Sequence, residues 1–304
     1  MQRNSTAGVL AVATAVLAFS ITASMVKWSG TPGSVIAFWR MAAAVVVWWV
    51  IARVAGQPPT WKSLRLALVP GLLFGTNVAL FFTAITRTSV AHAEFLGSIV
   101  PLILAPSGAF LFGERIVWKA FAWGSVAIVG VSLVIFGGSG TGTATATGDV
   151  LALCAMLLWC GYLLATKQVR KQMGVPQFMA SIMPFAAAAL GLIVWVRGGA
   201  TDVTARGWLV IASLLVFSGI AGQGLITYAQ NHVPVLTIAV LQVAQPALSV
   251  SWAALLIGER VRPIQVVGMV IVLAGLVLFT LRSAPRPVNT ADRHEHGELA
   301  GPAG

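Results

Sequence analysis

The chain has 304 residues, of which 58% are hydrophobic and 9% charged, with a mean hydropathy of +0.90. Soluble domains carry about a quarter of their residues as charged side chains, so a water-soluble globular protein is excluded and a lipid bilayer is the expected solvent. The net charge of +11 does not imply a nucleic-acid partner, because the basic residues sort into loops in a way that reads as membrane topology.

A helix needs about 20 mostly apolar residues to cross a hydrocarbon core of about 30 Å. That length predicts ten spans, roughly at 7–27, 34–54, 64–86, 88–111, 117–136, 148–166, 177–196, 207–229, 234–257 and 262–281. The first, preceded by Arg3, is longer than the 7–15 apolar residues of a secretory signal peptide and reads as a retained helix. SGTPGS precedes the second span, which carries Arg40 in its interior, and GQPPTWK precedes the third. The third contains Gly71 and Gly75, a GxxxG face for close helix contact, and Asn77. Only Arg87 separates the third from the fourth span, which holds His92, Glu94, Ser98 and Pro101.

After the fifth span, GGSGTGTATATGD forms a linker, and the short sixth span extends toward the polar residues beyond it. That span carries Trp159, Tyr162, Cys154 and Cys160; the cysteine spacing fits neither a disulfide framework nor a metal site, so both read as packing residues. The eighth span brings Gln223 and Tyr228, followed by Gln230 and Asn231, and the ninth brings Gln242, Gln245 and Pro246. Trp28, Trp48, Trp49, Trp61, Trp118, Trp195 and Trp208 lie near predicted helix ends and read as interface anchors. The tail, APRPVNTADRHEHGELAGPAG, lacks periodic apolar residues and is expected to be disordered. Its His294 and His296 are too few to complete a metal site, and no metal or cofactor is expected.

With a cytoplasmic N-terminus, twelve Lys and Arg fall on the inside and six outside, with Arg40 in a span. The positive-inside rule then puts both termini in the cytoplasm of a cell-membrane protein.

LFGERIVWK (from Leu111) and LIGERVRPI (from Leu256) repeat one motif. Gly113 and Gly258 are 145 residues apart, and the same shift superimposes Pro101 on Pro246, Ala109 on Ala254 and Gly130 on Gly275. The repeat divides the chain into residues 1–137 and 148–282, joined by a linker at 138–147 and followed by the tail at 283–304. Five spans per half is an odd number, so the halves enter the membrane from opposite sides. The expected fold is an all-α integral membrane protein of ten transmembrane helices arranged as two inverted five-helix repeats, an architecture common among secondary transporters.

Within the motif, Gly113 and Gly258 can end a helix in the left-handed conformation. Glu114 and Glu259 are placed to favour the start of the next helix, and Arg115 and Arg260 to reach headgroups. A turn and cap is one reading of these residues; direct substrate contact is the other.

The proline twelve residues ahead of each motif, as in SIVP…LFGER and VAQP…LIGER, with Gly130 or Gly275 in the following helix, resembles the EamA module of the drug/metabolite transporter superfamily. AFWRMAAA, around Arg40, is similar to the family's aromatic-Arg segment in its second helix. The likeness spans about Ala7 to Arg282, departing where Phe185, at a shift of 145, stands opposite Arg40. The resemblance implies a ten-helix bundle that moves small organic solutes, often amino acids or related metabolites and often outward.

Proline inside a helix removes a donor and frees the carbonyl four residues back, here those of Gly97 and Gln242. The result is either a kink satisfied by neighbours or a broken helix lining a cavity. Glu94, Ser98 and Pro101 share one helix face, and Gln242, Gln245 and Pro246 gather on another. Arg40 lies six residues after Ser34 and Glu94 six after Thr88, which predicts similar depth. They form either a structural ion pair or a functional one, with Arg40 holding a substrate carboxylate and Glu94 exchanging a proton.

His92 is a second proton-coupling candidate, set against a packing role. Asn77, Gln223 and Tyr228 line the pathway or bond across helices, and Trp159 and Tyr162 form an aromatic wall or pack. No HExxH, GxSxG or GxxxxGK[ST] occurs, so neither an enzyme nor an ATP-hydrolysing pump is expected. The prediction is a secondary transporter of an amino acid-like metabolite working by alternating access, expected to export and open to proton coupling. A drug or amphiphile exporter, an uptake permease and a pore are its alternatives. The partners are a small-molecule substrate and the lipid bilayer; no residue pattern specifies an oligomer.

Overall fold

The computed structural model describes residues 5–88, 90–112, 122, 125–126, 128–133, 145–196, 198, 201–257 and 262–283. The two Gly-Glu-Arg motifs, Trp118 and the tail lie outside the described residues. So does most of the predicted fifth span, of which helical turns at 128–133 are seen.

The described regular structure is helical throughout. In chain order it comprises α1 (Ser5–Ser20), α2 (Thr22–Ser29), α3 (Gly33–Val54), α4 (Trp61–Ala84), α5 (Val90–Ser98) and α6 (Val100–Phe112). Then come α7 (Ala146–Val169), α8 (Val175–Val196), α9 (Ala205–Leu214), a π-helical segment (Leu215–Gly222) and α10 (Gln223–Ala229). The last are α11 (Val235–Gln242), α12 (Gln245–Ile257) and α13 (Pro263–Ser283). Among the described residues, seven stretches are long and apolar enough to cross a membrane, some of them running through two or more of these elements. The predicted 148–166 span lengthens at both ends to Ala146–Val169.

Helix starts follow local chemistry. Thr60 caps α4 by accepting from the Ser63 backbone N–H while Ser63 Oγ accepts from Thr60 N–H, a reciprocal capping box. Thr145 and Thr204 cap α7 and α9 by accepting from Gly148 and Gly207 N–H. Gly30, at φ 67°, ends α2 in the left-handed region where a side chain would be strained.

The two sequence halves interlock. α4 lies against α7 and α8, α3 against α8, α1 against the π segment and α10, and α5 and α6 against α12 and α11 respectively. The partner of the GxxxG face is now visible. A Cβ built on Gly75 would come within 2.5 Å of the Ala186 carbonyl oxygen, and one on Gly71 within 2.8 Å of that of Ile182. The glycines therefore let α4 and α8 meet backbone to backbone.

Two positions differ from the sequence reading. Trp48 is 4% exposed and Trp49 donates its indole N–H to the Ala180 carbonyl at 2.8 Å, so both face the bundle rather than the interface. Trp28, Trp61, Trp195 and Trp208 are exposed, as anchors should be. The starts of α3 and α8 are 142 residues apart rather than 145.

Candidate functional site: a polar cavity at broken helices

The predicted fourth and ninth spans are not simply kinked; each is interrupted. α5 ends at Ser98 and α6 starts at Val100, while α11 ends at Gln242 and α12 starts at Gln245. The connecting amides tighten to bonds three residues back, Ile99 N–H to Leu96 O and Val243 and Ala244 N–H to Val240 and Leu241 O. Pro101 and Pro246 then occupy the first turns of α6 and α12, where proline's missing N–H is tolerated. Ile99 and Ala244 are 145 residues apart, so both halves break at the same place.

Between these breaks lies a cavity of about 150 Å³. Its polar wall includes Thr22, Arg40, Asn77, Glu94, Ser98, Trp159, Ser218, Gln223, Gln242 and Gln245, and Gly97 and Pro246 line it too. Apolar faces come from Phe19, Phe74, Val78, Phe81, Phe82 and Met156. Eight of the ten predicted pathway residues are thus brought together. Tyr162 lies behind the wall, fully buried, stacked on Trp159 at 5.2 Å and accepting from Gln223 Nε2 at 2.7 Å. Tyr228 stands apart, partly exposed and stacked on His232. Pro101 is buried near the break without lining the cavity. The side chain of His92 lies outside the described residues.

Arg40 and Glu94 share this cavity, 6% and 5% exposed, but they are not bonded to each other, which corrects the expected ion pair. Arg40 Nη1 donates to Ser218 Oγ at 2.7 Å, and its guanidinium lies 5.5 Å from the centre of the Phe82 ring. Ser218 in turn donates to the Leu214 carbonyl at 3.0 Å. Ser218 lies within the π segment, and such segments often occur at functional sites.

Glu94 is held from the other half of the chain. Gln245 Nε2 donates to Oε2 at 3.2 Å, and Ser249 Oγ lies 3.1 Å from Oε1 and 2.9 Å from the Ser20 carbonyl. A hydroxyl has one proton, so Ser249 can give it to Glu94 or to Ser20, but not to both at full strength. If Glu94 is protonated, it can donate to Ser249, which is then released to bond Ser20. The arrangement can register the charge of Glu94 at Ile21, where α1 gives way to α2.

The remaining polar wall is cross-braced: Asn77 Nδ2 donates to the Ala155 carbonyl at 2.7 Å, and Trp159 Nε1 to Gln242 Oε1 at 3.3 Å. Thr22 Oγ1 is buried on the cavity without a hydrogen-bond partner. Ser218, Ser249 and Thr22 escaped sequence reading. Ser249, four residues after Gln245 on one helix face, was the legible one.

The sequence profile of the EamA-like transporter family matches residues 6–136 and again 146–281, and the chain belongs to that family. It is a multi-pass membrane protein. Among its relatives, the pseudopaline exporter CntI of Pseudomonas aeruginosa is 22% identical over 274 residues, 89% of this chain and 94% of that one. A probable amino-acid metabolite efflux pump of Escherichia coli is 28% identical over 186 residues, covering 56% and 60% of the two chains. A solved crystal structure superposes with a TM-score of 0.74 at 18% identity over 92% of this chain and 99% of its own, a likeness of fold. The family and these relatives are transporters.

Proposed function

We propose that the chain is a secondary transporter that exports a small, carboxylate-bearing, amino acid-like metabolite by alternating access, with proton exchange at Glu94. The observation that carries this reading is the separation of Arg40 from Glu94 within one buried cavity. A buried guanidinium whose hydrogen-bond partner among the described residues is a neutral hydroxyl is left with charge to offer an incoming carboxylate. A buried carboxylic group held by an amide and a hydroxyl can change protonation without losing its partners. The low charge of the other lining residues favours a carrier over a pore, which would want a continuous polar ring.

In this reading ten transmembrane helices form two inverted halves, with both termini cytoplasmic, and the cavity sits on the seam between them. The matching interruptions at Ile99 and Ala244, and the family profile's two matches, support it. Alternating access then amounts to rocking of one half against the other around a fixed site. The E. coli and P. aeruginosa relatives, a probable amino-acid metabolite efflux pump and a pseudopaline exporter, favour outward movement of a small metabolite.

The test is counterflow in proteoliposomes loaded with amino acids. Saturable exchange that follows a pH gradient in the wild type and loses that dependence in Glu94→Gln is expected. Flux that neither saturates nor exchanges overturns the carrier reading, and gradient dependence unchanged in Glu94→Gln removes Glu94 from coupling. Topology is checked separately with single cysteines at Glu114 and Glu259, expected to label from opposite faces; labelling from one face overturns the inverted arrangement.

A further inference from the structure

Two amides in the cavity wall stand side by side along α7, each held at one end and open at the other. Asn77 of α4 donates Nδ2 to the Ala155 carbonyl at 2.7 Å, and Gln242, where α11 breaks, accepts the Trp159 indole N–H on Oε1 at 3.3 Å. A carbonyl only accepts and an indole only donates, so these partners fix which way each amide faces. Asn77 is left with a free acceptor, Oδ1, and Gln242 with a free donor, Nε2. Neither atom has a hydrogen-bond partner among the described residues, neither is sealed from open space, and both residues are half-buried where they line the cavity.

Ala155 and Trp159 are neighbours one turn apart on α7, which sets the two braced amides about 6 Å from each other. Trp159 is itself stacked at 5.2 Å on the fully buried ring of Tyr162, so the indole and the amide it orients are in place before a solute arrives. A solute that satisfies this pair must accept from Gln242 and donate to Asn77. A carboxylate cannot donate, an ammonium cannot accept, and an alkyl chain does neither. A carboxamide does both, and its diverging N–H and C=O groups span such a gap with hydrogen bonds of about 2.9 Å on each side. Arg40 stands elsewhere in the same cavity. Its guanidinium lies 5.5 Å from the centre of the Phe82 ring, and Phe82 is more than one turn beyond Asn77 on α4, a rise of about 7.5 Å. The cavity therefore offers a cationic pole and, at a different depth, a neutral pole that both donates and accepts.

We propose that Asn77 and Gln242 are the specificity-determining pair for the end of the substrate remote from its carboxylate, and that they select a neutral carboxamide there over an acidic or an apolar group. Placement of the carboxylate at Arg40 rests on the transport function proposed above; selection at the other end rests on the two free amide atoms. A site built to hydrogen-bond its substrate rejects an analogue lacking those groups, because its own polar atoms are then left unpaired.

Glutamine, glutamate and norleucine share an α-carboxylate and an α-ammonium and differ at the far end, which makes them the probes. Melting of the purified full chain in detergent reads binding, since a ligand of the folded state raises its melting temperature, and counterflow in proteoliposomes reads transport. Glutamine is expected to act in both at a concentration about tenfold or more below either analogue. Gln242→Glu keeps the acceptor for Trp159 but exchanges the free donor for a second acceptor, and Gln242→Met removes both. Each should abolish the advantage of glutamine over norleucine at normal membrane yield, a change of ratio that a purely structural role would not produce. Asn77→Leu, on a different helix, should do the same and keeps the test decisive should the Gln242 variants fail to fold. A glutamine preference in melting without counterflow keeps the assignment of the pair and overturns the transport reading. Counterflow of the probes without a glutamine preference, no response to any of them, or a preference unchanged in the variants overturns the assignment.

Discussion

α4 and the α11–α12 pair pass through the same bundle and treat their backbones in opposite ways. α4 runs unbroken from Trp61 to Ala84 despite Pro70 in its interior, and presses Gly71 and Gly75 onto the backbone of α8. The α11–α12 pair breaks at Val243 and Ala244 and gives its loosened backbone, Gln242, Gln245 and Pro246 to the cavity. Small residues fix the frame where backbones touch; prolines loosen it where the cavity lies. A membrane interior tolerates irregular backbone only when it is covered by protein or lines a cavity, so the second treatment depends on the first.

The sharpest way to break this contrast is to fill the frame. Gly75→Val places branched carbons where even a Cβ would lie 2.5 Å from the Ala186 oxygen. Neither partner atom is the flexible end of a side chain, so α4 and α8 must separate. Overpacking of this kind costs about 3 kcal/mol or more. The expected outcome is loss of the monodisperse species in detergent-solubilised membranes, read by fluorescence-detected size exclusion; a wild-type profile would show that the two helices are free to move apart.

A change at the cavity should do the reverse, removing function and sparing the fold. Arg40→Gln keeps a donor for Ser218 but removes the charge. A charge-assisted hydrogen bond contributes about 1.5–3 kcal/mol, so the half-saturating substrate concentration should rise by about 10- to 100-fold with normal membrane yield. Saturation kinetics in proteoliposomes read both quantities. Equal loss of yield and transport would assign Arg40 to the frame instead.

The breaks can also be mended. Pro246→Ala restores an N–H that can reach the Gln242 carbonyl, adding about 1 kcal/mol of helix stability. The melting temperature should rise while turnover falls, because a more continuous helix is harder to rearrange. A rise in melting temperature with unchanged turnover would mean that the interruption shapes the cavity without moving during transport.

How far the sequence revealed this depends on which physical signal each feature uses. The GxxxG face, the two prolines and Glu94 with Ser98 follow fixed helical periodicity, so their placement could be read from spacing alone. The depth argument for Arg40 and Glu94 brought them to one cavity, but pairing them required knowing what else faced each charge. Ser218, which meets Arg40, lies in the π-helical stretch Leu215–Gly222, where side chains leave the 3.6-residue wheel from which a sequence is read. Ser249 and Ser20 meet across 229 residues of sequence, a contact no local pattern encodes. Tyr162 and Trp159 sit three apart on one face, yet of the two Trp159 reaches the cavity while Tyr162 packs behind it against Phe74.

The smallest effect should come from Gly97, the counterpoint to Gly75. A Cβ built there meets no atom within 4 Å, though the residue lines the cavity beside the break in the fourth span. Glycine inside a helix is about 1 kcal/mol less favourable than alanine, so Gly97→Ala should leave the melting temperature unchanged or slightly raised. The added methyl faces the space a solute would occupy, and one carbon in a binding site discriminates by about 1–3 kcal/mol. Affinity should therefore fall for the bulkiest substrates and hold for the smallest, read as a ratio of transport efficiencies across amino acids of increasing side-chain volume. If Gly97→Ala instead behaves as Gly75→Val is expected to, the fourth span closes against a neighbour during the cycle, and its break belongs to the moving frame as much as to the cavity wall.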